Sequence, residues 1–512
     1  MASLDDSVRK LFKGGGILLV GLVLQLGISF LGKLIVAREL AISDFGSVVL
    51  GITVAMTAAT VAQLGLHEGI GRYLPRFDDE ADRRGVLLSA MSIALPLALA
   101  FGAALFVAAP YIARAAFDSP QVTPVFEVFA FVIPLQVTHR LVVSTVQGQQ
   151  RTTPKVLIEN ITKPVARILA IGVVVLVGAT AVRVSLAYLF GWIVPVVLGV
   201  VYLYRETSIP DRAVGAVMRR RELLRFSTPL VISGMLTVVF NDLDTLLLGF
   251  FSGSTEPVAL YNVVYPLATL LNTAMMAFSF IFMPVISELH ANEDITGVNR
   301  MYQVVTKWVF VATLPVFLVM ETFPSQLISL TFGAKYAGGG LVLQVLAAGF
   351  FVHTVAGLNR ETAASIGRTR LLLYIDFGAA VLNTALNLVL IPAFGPLGAA
   401  VATTVTYAAL NLALSGVLYR EVGVVPLTRS ILQPGIAGAA AFVVVYLVAG
   451  ALTNPNPVSL VVSFAVFALL YTVSVFRFGG IEAEEVMLVK SIEERFGVDL
   501  EPLKRVGRRL MP

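Results

Sequence analysis

Fourteen stretches of mostly apolar residues run through the 512-residue chain, at approximately 14–36, 46–64, 86–109, 125–141, 164–181, 185–204, 229–251, 258–286, 308–323, 341–358, 371–391, 397–418, 431–451 and 458–476. A hydrocarbon core about 30 Å thick takes about 20 helical residues to cross. Lipid offers no partner to an open backbone N–H or C=O, so stretches of this length are expected to fold as membrane-spanning helices. The expected fold class is therefore all-α: a polytopic membrane protein with 14 transmembrane helices. Composition bears on this only through charge, since Asp, Glu, Lys and Arg together make up 13% of the residues, about half the share in soluble domains.

The distribution of the basic residues sets an orientation. With the N-terminus placed in the cytoplasm, 32 of the 37 Lys and Arg residues fall on the inner side, and Lys33, Arg38, Arg114, Arg183 and Lys335 fall outside. An odd number of spans would reverse this bias partway along, so both termini are expected to be cytoplasmic. The net charge of +5 is thereby absorbed by topology and gives no reason to expect nucleic acid. The first stretch exceeds the apolar core of a signal peptide and has no small-residue cleavage site before Arg38, so it is expected to remain. Cysteine is absent, and the four histidines, His67, His139, His290 and His353, are scattered. No catalytic residue, metal site or cofactor is expected.

The longest polar connector between spans, 205–228, carries six arginines and divides the chain into an N-terminal six-helix lobe (1–204) and a C-terminal six-helix lobe (229–418). A helix pair (419–476) and a cytoplasmic amphipathic tail (477–512) follow. In the tail Ile481, Leu488, Val489, Ile492 and Phe496 form an apolar stripe near Lys504, Arg505, Arg508 and Arg509, suited to anionic membrane lipid.

Polar residues within the apolar stretches are the chemical signal. Gln25, Ser29 and Lys33 recur every four residues and share one helix face. Ser233, Thr237, Asn241 and Thr245 repeat the pattern on the seventh stretch, with Asp242 and Asp244 alongside; Thr53, Thr57 and Thr60, and Asn262, Tyr265, Thr269 and Asn272, extend it to the second and eighth. Such stripes face a shared interior or bond helix to helix rather than face lipid. The candidate binding residues are Gln25, Ser29, Lys33, Arg38, Arg72, Asn241 and Asn272. Arg38 also suits a helix-end role, and Arg72 is also explained by the inner-side charge bias. Asp242 and Asp244 are candidates for ion coupling or a gate, with packing as the other reading. At two residues apart on a helix they diverge by about 200° and do not share a metal.

The order of several segments resembles the polysaccharide flippase family of the multidrug, oligosaccharidyl-lipid and polysaccharide exporter superfamily. They are Ala37-Arg38-Glu39-Leu40 through Asp44-Phe45-Gly46, Leu64-Gly65-Leu66 with Arg72-Tyr73, and Phe240 to Tyr261 with Asn241-Asp242-Leu243-Asp244. Leu246-Leu247-Leu248-Gly249, Ser365-Ile366-Gly367-Arg368-Thr369-Arg370, Asn383, Asn387, Ile391-Pro392, Phe394-Gly395, Gly398-Ala399-Ala400 and Ala402-Thr403 complete the set. The resemblance spans nearly the whole chain. It implies two six-helix lobes, two added C-terminal helices, and transfer of a polyprenyl-(di)phosphate-linked oligosaccharide from the cytoplasmic to the outer leaflet of a bacterial or archaeal membrane by alternating access. Glycan assembly enzymes are implied as further partners. The rivals are a drug or cation exporter of the same superfamily, which the acidic pair would suit, and a membrane glycosyltransferase. The latter lacks a large external loop to carry its chemistry. No Gly-x-x-x-x-Gly-Lys-Ser/Thr loop is present, so ATP use is not encoded in this chain.

Overall fold

A computed structural model describes residues 2–207, 209, 211, 213–425, 429–452 and 457–478. The described residues form helices joined by short turns, with no strand among them. Among the described residues ten helices are long and apolar enough to cross a membrane, or eleven if the bent pair Glu256–Thr269 and Asn272–Ser279, inclined at 48°, forms one span. The fold is all-α and the chain a multi-pass membrane protein; the tail beyond residue 478 lies outside the described residues.

Local chemistry sets the helix ends. Asp79 accepts a hydrogen bond from the Ala81 amide at 3.3 Å to start Glu80–Ala115, and Asp294 does the same for Gly297 at 2.8 Å to start Ile295–Thr322. Ile42–Gln63 stops where Leu64 and Gly65 both turn left-handed. A side chain at Gly65 would also meet the Ser227 carbonyl and Leu230, so glycine serves both the turn and the approach. The fifth span begins before its apolar stretch and is irregular there: Thr152–Lys155 opens as an α-helix, Val156–Thr162 widens into a π-helix, and Lys163–Leu176 returns to α-helix.

The chain gathers into two compact units. One spans Met1–Val263, Ile328–Tyr336 and Leu386–Ala399; the other spans Val264–Leu327, Ala337–Ala385 and Ala400–Pro512. The first unit recruits its distant pieces through specific bonds. Arg38 donates to the carbonyls of Thr331 (2.6 Å) and Leu330, and Lys335 donates to those of Arg38 (2.9 Å) and Leu40. Tyr336 donates to the Ala37 carbonyl at 3.1 Å. These carbonyls lie at the ends of Ala2–Glu39 and Pro324–Thr331, where the helix leaves them unpaired. Each helix end is thus capped by a cation from the other segment, at the favourable pole of the helix dipole.

In the second unit the C-terminal pair, Arg429–Leu452 and Pro457–Phe478, packs on Ile295–Thr322. Tyr471 donates to the Val311 carbonyl at 2.9 Å, and Phe467, Tyr471 and Val475 bury against Val311 and Leu314. The small residues of the pair serve close packing, because a side chain at Gly435 would strike the Phe310 ring and one at Gly438 the Tyr471 ring. Gly438→Val should therefore destabilise the protein by about 1–3 kcal/mol, read as a lower melting temperature in detergent. Gly378→Val, where a side chain meets open space, should leave it within about 0.5 kcal/mol.

Candidate functional site

The stripe on the first helix faces the irregular fifth stretch. Asn160, on the π-helical turn, donates to the Gln25 side-chain oxygen. One turn on, Arg167 Nη2 donates to Ser29 Oγ at 2.9 Å. A side chain at Gly21 would meet Val156 and Asn160, and one at Gly32 would meet Ile171. The numbers rise together along both elements, so they cross in the same direction, as the first and fifth spans of an up-and-down bundle must.

The following helix, Ala181–Glu206, supplies aromatic faces. Lys163 Nζ lies 4.2 Å from the centre of the Trp192 ring, and the Arg167 guanidinium 5.1 Å from that of Tyr188. The pairing is antiparallel: Lys163 to Arg167 is a step of four up one helix, and Trp192 to Tyr188 is a step of four down the other. Gly191 lets the backbones close, since a side chain there would strike the Cα and Cβ of Arg167. His139 packs edge-on to Trp192, with centroids 5.3 Å apart. It is 1% exposed, and neither ring nitrogen has a hydrogen-bond partner among the described residues.

This group has an excess of positive charge. Arg140, Arg167 and Glu159 all lie within electrostatic reach of Lys163, and Glu159 is already bonded to Arg140 at 3.2 Å. Lys33 lies one turn beyond Ser29 on the same face, half-buried and with no ion pair among the described residues. Three cations, Arg140, Lys163 and Arg167, therefore stand around one carboxylate, with Lys33 further along the first helix. A cation near the centre of a spanning helix costs about 2.5–3.5 kcal/mol on insertion scales, and Arg167 lines up with the middle of the first apolar stretch. Cation–π contact recovers about 0.5–2 kcal/mol of such a cost. An anion is the partner that removes it.

Of the residues expected from sequence, Gln25 and Ser29 are brought together with Asn160 and Arg167; Lys33 continues their face. Arg38 is committed to the carbonyls of Leu330 and Thr331, which is its helix-end role. Arg72 is exposed and lies 4.4 Å from the centre of the Phe226 ring, on the connector side of the helix. Asn241 donates to the carbonyl of Thr237 at 2.9 Å, within its own helix. Asn272, in the other unit, opens the helix after the bend, and its buried Oδ1 has no partner among the described residues.

The acidic pair divides. Asp244 is buried and accepts from Tyr261 Oη at 2.5 Å and from Asn387 Nδ2 at 2.6 Å, while Asn262 donates to Thr245 Oγ1 at 2.9 Å. It ties three helices of the first unit together and explains why Leu386–Ala399 belongs there. Asp242 is half-buried, and no ion pair joins either carboxylate to Lys33 among the described residues.

Lys163 and Arg167 are not among the residues expected from sequence, because they stand at the edge of the fifth apolar stretch and pass as inner-side charge. The one signal for them is their spacing of four residues beside Asn160, matched by Tyr188 and Trp192 on the next helix.

A bundle of apolar helices that holds half-buried cations beside a polar stripe suits a membrane transporter. The chain belongs to the polysaccharide biosynthesis protein family, whose pattern matches residues 11–290, and the MatE pattern matches residues 229–389. It is similar to a probable low-salt glycan biosynthesis flippase of Haloferax volcanii, at 22% identity over 75% of this chain and 78% of that one. Among solved structures it is similar to the lipid II flippase MurJ in an inward closed conformation, with a TM-score of 0.72 and 11% identity over 89% of this chain and 97% of that one. It is also similar to a multidrug resistance MATE family transporter of the MOP superfamily, with a TM-score of 0.65 and 13% identity over 78% and 94%. The fold is that of this superfamily.

The reciprocal caps yield a measurable coupling. Arg38→Ala and Lys335→Ala should each destabilise by about 1 kcal/mol. The double variant should lose less than the sum of the two, because one interface closes or opens as a unit. Hydrogen exchange of the amides at 37–41 and 329–336 reads this directly, and strict additivity would show the two caps to be independent.

Proposed function

We propose that this protein is a flippase that carries a polyprenyl-(di)phosphate-linked oligosaccharide from the cytoplasmic to the outer leaflet by alternating access of two six-helix lobes, 1–204 and 229–418. The observation that carries this reading is the excess of cations, Lys163 and Arg167 above all, held beside Gln25 and Ser29 in elements that cross lipid. A lipid phosphate or diphosphate answers that excess, and its glycan answers the polar stripe. The names of the relatives, a glycan biosynthesis flippase and a lipid II flippase, support the same class of cargo. An exporter of cationic drugs would need the opposite balance of charge around the first helix.

Within this reading Gln25, Ser29 and Lys33 hold the headgroup together with Arg167 and Lys163. Arg72 offers a first contact at the cytoplasmic end, and Asn241 and Asn272 line the path of the glycan. Of the acidic pair, Asp242 suits the coupling role better, since Asp244 is held by Tyr261 and Asn387. No chemical step is assigned: the protein moves its cargo and does not alter it.

In proteoliposomes, replacing Lys163 and Arg167 together by alanine should slow transfer of a fluorescent polyprenyl-diphosphate sugar by about tenfold or more, the loss of at least one charge-assisted contact. Arg183→Ala, which only frees the carbonyls of Val177 and Gly178, should transfer normally. Unchanged transfer by a well-folded double variant would remove these cations from the mechanism. The orientation has its own test. The chain has no native cysteine, so Ser254→Cys should react with an impermeant thiol reagent on intact cells and Ser3→Cys only after the membrane is opened.

A further inference from the structure

Two cation–π pairs stand one above the other on neighbouring helices, Lys163 on Trp192 and Arg167 on Tyr188, at 4.2 and 5.1 Å. Contacts of this kind are individually weak beside a charge-assisted hydrogen bond. A phosphate oxygen is a stronger partner for either cation, through shorter bonds of that second kind. An arriving anion would draw the cations from the rings to the phosphate and uncover two aromatic faces four residues apart beside it. A third observation points to what covers them next. His139 lies edge-on to Trp192, is 1% exposed, and has both ring nitrogens without a hydrogen-bond partner among the described residues. A buried imidazole with no partner marks a place for a polar ligand atom.

We infer that Trp192 and Tyr188 are a sugar platform. The rings that Lys163 and Arg167 face receive the apolar face of the sugar joined directly to the phosphate, and the His139 imidazole hydrogen-bonds one of its hydroxyls. The site thereby reads a phosphate and a pyranose together, and a lipid diphosphate without sugar fills only half of it. Gly191 is part of the device, because only a residue without a side chain lets Arg167 approach the helix that carries both rings. This inference rests on the flippase reading given above and adds to it which residues distinguish a glycosylated lipid from a bare one.

The test uses full-length protein in lipid nanodiscs and two probes, a short-chain polyprenyl diphosphate and the same lipid carrying one hexose on the diphosphate. The chain has two tryptophans, so Trp308→Phe leaves Trp192 as the sole indole, and withdrawal of the Lys163 ammonium from its face should change its emission when either lipid binds. Trp192→Leu and, independently, Tyr188→Leu, followed by direct lipid binding, should weaken the hexose-bearing lipid by about tenfold and the bare lipid by about twofold or less. His139→Phe, which keeps the edge-on packing, should show the same bias. Trp192→Phe retains an aromatic face and should retain most of the discrimination. Equal losses for both lipids in variants with normal melting temperatures would overturn the platform and leave the flippase reading standing. Failure of the unsubstituted protein to bind either lipid would overturn the flippase reading itself.

Discussion

Arg167 cannot stand beside Ser29, level with the middle of an apolar stretch, unless its guanidinium is held, and much of the first unit's architecture comes from holding it. The hydroxyl of Ser29 takes one of its N–H groups at 2.9 Å, and the centre of the Tyr188 ring lies 5.1 Å from its central carbon. Neither contact forms unless three helices pack closely. Gly191 allows the approach on one side and Gly21 and Gly32 on the other, where Val156, Asn160 and Ile171 come near. Small residues along the first helix are thus tied to a charge on the fifth stretch. Lipid supplies no hydrophobic force between helices, so close packing and polar contacts of this kind are what set their mutual register.

The irregular turn at Val156–Thr162 has its origin in Pro164. Pro164 has no N–H to give and its ring crowds the carbonyl of Asn160, which a regular α-helix would not tolerate without a break. The widened turn comes immediately before it. Asn160 then spends its side-chain N–H on the Gln25 oxygen, in a place where water is scarce. A widened turn takes up about one residue more than an α-turn and rotates the rest of the helix by about 100°. Lys163 and Arg167 reach Trp192 and Tyr188 from the far side of that distortion.

That distortion also explains what could and could not be read from the sequence. Apolar length and the inner-side bias of Lys and Arg make the all-α membrane class legible, and the spacing of Gln25, Ser29 and Lys33 on a regular helix is enough to place their shared face. The segment before the fifth stretch offers no such regularity, because its register changes at Val156–Thr162, and the cations that follow pass as inner-side charge. Partners distant in sequence are equally hidden. Nothing near Asp244 announces Asn387, and nothing near Arg38 announces Lys335, although Asp244 and Arg38 both stand out by their charge. The close approach of the Phe310 and Tyr471 rings to Gly435 and Gly438 in the C-terminal pair is hidden in the same way.

The first helix carries the anchoring hydroxyl of the cation site and the arginine of the reciprocal caps, nine residues or about 13–14 Å apart on one stiff element. Any large rotation of this helix must break four bonds from charged groups, two made by Arg38 and two made by Lys335. Bonds of this kind contribute about 1.5–3 kcal/mol each when well buried, and less here because Arg38 is exposed. The caps together therefore hold the helix by a few kcal/mol. On the proposed function, a diphosphate moving outward down an inside-negative potential releases about 2.3 kcal/mol per charge per 100 mV. The two quantities are of the same size, so caps of this strength can be opened by the cargo's own charge and yet keep the helix in place when no cargo is bound. Caps several times stronger would hold the loaded carrier shut, and the choice of main-chain carbonyls rather than carboxylates as partners for Arg38 and Lys335 keeps them weak enough.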